Sequence, residues 1–162
     1  MKIYSTRYNI IFLGIYGAMK NQLINYLFNR KILNPLTECQ SFYISGNYNG
    51  RAVNVAAMID LCGPSINSTQ LQKMIKDSLT EHFSQIDAVV IVTAGRLEMG
   101  HKTSITHLLE YLQFRQNPEK FVFIYNESPL ASEEFRKRNL DYVLSELGVS
   151  SSNKNKVREG FR

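Results

Sequence analysis

Three short runs, Ile10-Ile11-Phe12-Leu13, Ala88-Val89-Val90-Ile91-Val92 and Phe121-Val122-Phe123-Ile124-Tyr125, are apolar at every position rather than at every second one. A strand with one dry face alternates, whereas a strand apolar throughout must be covered on both faces. Each run is followed by apolar residues at helical spacing. Leu23, Ile24, Leu27 and Phe28 follow the first, within a helix predicted from about Met19 to Phe28. Ile105, Leu108, Leu109 and Leu112 follow the second, and Leu140, Val143, Leu144 and Leu147 the third. Strand alternating with helix predicts a mostly parallel α/β sheet with helices on both faces. The 162 residues, 44% of them apolar, suit one domain.

Between the first two runs, Pro35 breaks the chain. Gln40 to Ile44 and Arg51 to Ile59 read as two strands of a hairpin, joined by the turn formers Ser45-Gly46-Asn47-Tyr48-Asn49-Gly50 and giving the sheet an antiparallel edge. Asn67 or Ser68 caps a helix carrying Leu71, Met74, Ile75 and Leu79. Ser132-Glu133-Glu134 is a capped, acidic start to the last helix, and Gly148 is its stop. The expectation is five strands and four helices over residues 1–149. From 150 to 162 the chain is polar and basic and is expected to be disordered, which leaves the sheet without a further last strand.

Several function classes lose support on composition. No run approaches the roughly 18 apolar residues of a membrane span, and no basic leader with an apolar core opens the chain, so a cytoplasmic protein is expected. Cys39 and Cys62 are too few for a disulfide framework. The net charge of +5 owes much to Lys154, Lys156, Arg158 and Arg162, so no basic face for nucleic acid is implied. His82, His101 and His107 lack the spacing and carboxylate company of a metal site.

Chemistry concentrates where the first strand meets its helix. Gly14-Ile15-Tyr16-Gly17-Ala18-Met19-Lys20-Asn21 stands against the phosphate-loop pattern of glycine, four residues, then glycine-lysine-serine/threonine. Such a loop converges backbone N–H groups and a helix N-terminus on phosphate, with the lysine ammonium reaching the outer groups. Gly14, Gly17 and Lys20 keep that logic. Met19 stands in for the second glycine, and Asn21 for the hydroxyl that holds Mg²⁺. The competing interpretation is a glycine-rich turn with a solvated lysine. A second element, Asp60-Leu61-Cys62-Gly63, follows a strand end with the spacing of an aspartate-x-x-glycine box.

Over residues 8 to 148 these elements resemble the GIMAP/IAN family of P-loop GTPases. Leu36-Thr37-Glu38-Cys39-Gln40 is similar to that family's switch segment, and Asp60-Leu61-Cys62-Gly63-Pro64-Ser65 to its aspartate box. Val92-Thr93-Ala94-Gly95-Arg96-Leu97 is similar to its glycine-arginine element, and Tyr125-Asn126-Glu127-Ser128-Pro129 to its base-recognition box. The resemblance implies a G-domain-like fold and GTP or GDP with Mg²⁺. It places Gly14 to Asn21 on the phosphates and Asn21, Thr37 and Asp60 around the metal. Gly63 falls at the γ-phosphate and Asn126 near the base. It also implies slow turnover and a homo- or hetero-dimer through the nucleotide face. No catalytic glutamine or arginine finger is evident, and Pro129 replaces the carboxylate that would pair with guanine. The rivals are a pseudo-GTPase that keeps the fold as an interaction module and, with less in its favour, a small-molecule kinase.

Overall fold

The computed structural model describes residues 7–15, 18–29, 41–59, 61, 68–94, 99–126, 132–149 and 158–159. The strands are β1 (Tyr8–Gly14), β2 (Phe42–Tyr48), β3 (Arg51–Ala57), β4 (Ala88–Thr93), β5 (Phe121–Tyr125) and β6 (Arg158–Glu159). They form one sheet in the order β2-β3-β1-β4-β5-β6, parallel except for the β2–β3 edge pair. The helices are α1 (Lys20–Leu27), α2 (Ser68–Glu81), α3 (Met99–Tyr111) and α4 (Glu133–Glu146). From β1 the chain steps outward to β3, then turns back through β4, β5 and β6. Right-handed crossovers therefore place α1 on one face and α2, α3 and α4 on the other.

The fully apolar runs become the buried centre. All six residues of β4 are buried, and Ile11, Phe12 and Leu13 of β1 pair with Val89, Val90 and Ile91. Ile24 of α1, Leu71 and Ile75 of α2, Ile105 and Leu108 of α3 and Val143 of α4 close over them. Phe114 sets its ring edge-on to Phe121 and Phe123, which identifies the face of β5 turned toward the α3 side.

Two details differ from the sequence reading. The hairpin is tighter: β2 stays paired through Tyr48 opposite Arg51, leaving a two-residue loop of Asn49 (φ 50°) and Gly50 (φ 78°). Left-handed conformations at both positions give the turn whose twist suits paired strands, so the reversal belongs to Asn-Gly alone. The sheet also has a sixth strand inside the stretch expected to be tail, with Arg158 and Glu159 in register with Val122 and Phe123. Two charged residues carry no hydrophobic period, so pairing through the backbone leaves no trace in sequence.

At the amino end of β1 lies a polar network that pattern analysis passed over. The Asn9 amide donates to Gln85 O (2.9 Å), its Oδ1 accepts from Asn54 (3.0 Å), and its backbone N–H donates to Asp87 (2.8 Å). Asn9 is buried, and these bonds satisfy it while pinning the β1–β3 register at Asn9 opposite Asn54.

Candidate functional site

The carboxyl end of β1 runs into a loop held on three sides. Ile15 N–H donates to Val92 O (3.2 Å), carrying the β1–β4 ladder one step past Gly14. Ala18 N–H returns to Ile15 O (3.1 Å), reversing the chain within three residues. Met19 then takes the left-handed conformation (φ 58°, ψ 41°) and α1 begins at Lys20, with Leu23 N–H bonding Met19 O (3.2 Å). Position 19 is where the phosphate-loop pattern has its second glycine. The backbone thus keeps a conformation natural to glycine while carrying a half-exposed methionine side chain.

Lys20 is not the solvated residue of the glycine-turn alternative. Its side chain is 0% exposed and lies along β1, close enough that a Cβ built on Gly14 would stand 3.5 Å from Lys20 Cβ and Cδ. Its Nζ donates to Met58 O (2.5 Å), with Asn21 Oδ1 at 3.5 Å. Asn21 is also fully buried, so a cation and a neutral carbonyl oxygen stand side by side at the first turn of α1.

The second flank is the end of β3. Met58 N–H bonds Phe12 O (3.0 Å), Leu61 N–H bonds Gly14 O (2.9 Å), and Leu61 bridges Ile15 in parallel. Met58 and Leu61 are thereby zipped to the end of β1. The third flank is the end of β5, where Asn126 N–H donates to Thr93 O (2.8 Å) and its side-chain amide to Ala18 O (2.7 Å). This tether between Asn126 and the loop was absent from the sequence reading, because residues 108 positions apart carry no spacing signal.

Of the predicted site residues, Gly14, Ile15, Ala18, Met19, Lys20, Asn21 and Asn126 are brought together here. Tyr16, Gly17, Thr37, Asp60 and Gly63 lie outside the described residues. Within the group, the Ile15 and Ala18 amides bond inside the protein, while the first-turn amides of α1 point out of its N-terminal end. A helix N-terminus without an acidic residue in its first turn, next to a lysine, is chemically an anion site. A cavity of about 280 Å³ lies elsewhere, between the ends of α3 and α4, lined by Leu109, Phe114, Arg115 and Leu147 among others. None of the predicted residues lines it.

No family model matches the chain, and no curated protein matches it in sequence. Among solved structures it is similar to Toc33 from Arabidopsis thaliana in complex with Mg²⁺ and GMPPNP, at 16% identity over 94% of this chain and 69% of that one, with a TM-score of 0.73. The G domain of the T. maritima iron transporter FeoB matches at 15% identity over 88% of this chain and 84% of that one, with a TM-score of 0.52. The fold is that of a GTPase G domain. The chain is also similar to a structure of the chloroplast translocon components atToc33 and psToc159, for whose GTPase activity dimerization is important, at 16% identity over 93% of this chain and 65% of that one, with a TM-score of 0.68. Within the G-domain fold the loop lies at the carboxyl ends of β1, β3 and β5, the edge of an open α/β sheet where ligands bind. No helix among the described residues is long and apolar enough to cross a membrane.

Proposed function

We propose that the chain is a GTP- and GDP-binding switch domain of the AIG/GIMAP type, with weak or absent hydrolysis. One observation carries this: the loop from Gly14 to Lys20 holds a glycine-like backbone at Met19 and buries Lys20 against it, although the sequence pattern is degraded there. Conformation and a buried cation are retained where side-chain identity is not. The likeness to Toc33 bound to Mg²⁺ and GMPPNP supports the same reading.

In this reading the first-turn amides of α1 and the Lys20 ammonium take the phosphates, and Asn126 holds the loop from the base side. Asn21, Thr37 and Asp60 offer two neutral oxygens and a carboxylate, a donor set that suits a hard divalent cation. Asn21 Oδ1 lies 3.5 Å from the Lys20 ammonium, so the two would act on one bound group. Mg²⁺, if held by these residues, would supply neutralisation of phosphate charge. Hydrolysis is in-line attack of water on the γ-phosphate, for which this chain presents no evident water-positioning glutamine or arginine. A dimer partner across the nucleotide face is the natural source of what is missing, and the importance of dimerization for the GTPase activity of atToc33 and psToc159 supports that proposal.

A specific observation favours the second reading, an interaction module that binds no nucleotide. The Met19 side chain is 44% exposed at the loop, where backbone must approach phosphate. Titrating the protein with fluorescent GTP, GDP and ATP, with and without Mg²⁺ and alongside Lys20→Ala, separates the two. Micromolar binding that Lys20→Ala abolishes is the expected result. No binding up to millimolar nucleotide makes the module the function.

A further inference from the structure

Helices α3 and α4 begin at the carboxyl edge of the sheet, beyond β4 and β5, and end at the opposite edge in the same way. After α3, Gln113 is left-handed (φ 58°), its N–H bonds Glu110 O (3.1 Å), and Phe114 N–H reaches back to Leu109 O (2.9 Å). After α4, Gly148 is left-handed (φ 72°), its N–H bonds Ser145 O (3.0 Å), and Val149 N–H reaches back to Leu144 O (3.0 Å). Each is a Schellman stop, which answers helix-end carbonyls and folds the next apolar residue under the helix. Recognition at this edge therefore falls to side chains rather than to open helix ends.

The cavity of about 280 Å³ lies between these two stops. Leu109, Phe114 and Leu147 give it an apolar floor, each at most 6% exposed. Lys102 of α3 and Glu146 of α4 pair across the two helices at 3.1 Å, one turn before the lining residue Thr106. The reversal at Gln113 brings Arg115 to the same cavity as Glu110. Both charges are exposed, and neither side chain has an ion-pair or hydrogen-bond partner among the described residues. An apolar floor with one unpaired cation and one unpaired anion is complementary to a molecule that is apolar at one end and zwitterionic at the other. An aliphatic acid answers Arg115 but sets its carboxylate near Glu110, and an aliphatic amine does the reverse. The volume falls just under the roughly 300–1,000 Å³ of sites for drug-sized ligands, which suits a smaller molecule.

We propose that this cavity is a second binding site, on the edge of the sheet opposite the loop, for a free α-amino acid with an apolar side chain. That side chain lies on Leu109, Phe114 and Leu147, the ammonium on Glu110 and the carboxylate on Arg115. A peptide end carries only one of the two charges and leaves the other rim residue unanswered. The site does not depend on nucleotide binding.

Titration of the isotope-labelled full chain with L-leucine, followed through its amide NMR signals, tests this beside 3-methylbutylamine, 4-methylpentanoate and glycine. The Gln116 and Gly148 amides are expected to shift saturably with a Kd of about a millimolar, the range for a ligand of about nine non-hydrogen atoms. The amine and the acid each lack one charge and are expected to bind about fivefold more weakly, the upper range for a solvent-exposed ion pair. Glycine, without the apolar part, is expected not to saturate. Arg115→Gln and Glu110→Gln change exposed side chains and leave the floor intact. Arg115→Gln is expected to bring L-leucine down to the affinity of the amine, and Glu110→Gln down to that of the acid. No saturable shift at Gln116 and Gly148 up to about 20 mM L-leucine overturns the site. Shifts centred on Lys20 and Asn21 instead overturn its separation from the loop. An amine or acid that binds as tightly as L-leucine overturns the zwitterion assignment, and so do two variants that bind L-leucine as the wild type does.

Discussion

Helices α1 and α4 both begin at the carboxyl edge of the sheet, just beyond β1 and β5, and they begin in opposite ways. Before α4, Ser132 is extended (φ −66°, ψ 155°), its Oγ accepts from Phe135 N–H at 3.1 Å, and Glu133 and Glu134 occupy the first turn. Its orphan amides and positive dipole end are answered by the chain itself. Before α1, Met19 is left-handed, supplies no side-chain cap, and is followed by a cation rather than an acid. A helix of eight residues with such a start does not hold on its own propensity. Burial of Ile24 and of the Lys20 stem holds it. The difference separates a start answered by its own chain from one left electropositive, the end that the proposed nucleotide would answer.

The strongest way to break the comparison is to remove the charge that distinguishes α1. Lys20→Gln keeps a long polar side chain and deletes the cation. It is expected to weaken nucleotide binding about a hundredfold, which corresponds to a loss of about 2.7 kcal/mol of charge-assisted hydrogen bonding to phosphate. Lys20→Arg, with the charge on a planar fork too large for a fully buried slot, is expected to recover little of it. Unchanged affinity in Lys20→Gln, measured by titration, moves the phosphates away from α1.

The closed start is legible in sequence because its parts are local: a serine, two acids and helical periodicity lie within one turn of each other. The fully apolar strands are legible for the same reason, and so is Gly148, found at φ 72° just past α4. The open start is only half legible. Reading Met19 as a departure from the pattern is right about identity and says nothing about conformation. That conformation is imposed from outside the loop by bonds from Ile15 to Val92, Leu61 to Gly14 and Asn126 to Ala18. The Asn9 network and β6 escaped for the related reason that bonds between distant residues have no periodicity of their own. The two-residue hairpin loop is different, since Asn49-Gly50 is a local turn signal inside the longer polar run from Ser45 to Gly50.

Ser132→Ala sharpens the comparison from the other side. Losing the cap is expected to lower stability by about 1 kcal/mol in urea denaturation, with nucleotide affinity unchanged. The separation of effects is the point: Ser132→Ala acts on the fold alone, while Lys20→Gln is expected to lose affinity beyond what its own change in stability accounts for. A Ser132→Ala variant that loses nucleotide binding in proportion to its lost stability makes α4 part of the site and ends the distinction.

The smallest effect expected is at Met19 and comes from two opposing terms. A non-glycine residue in the left-handed region carries about 1–2 kcal/mol of strain, which Met19→Gly relieves. Glycine also adds freedom to the unfolded chain, which takes back about 0.5–1 kcal/mol. The net expectation is a gain of about 0.5 kcal/mol, read from the denaturation midpoint at constant slope. Removing the half-exposed side chain also opens the approach to the α1 amides, so affinity for GTP is expected to rise about threefold, and further with Asn21→Ser in the presence of Mg²⁺. If stability rises while affinity stays flat, the loop keeps its glycine-like shape for the fold alone. The open start of α1 would then be an inherited geometry with no ligand to answer it, and the interaction module would become the better account of the chain.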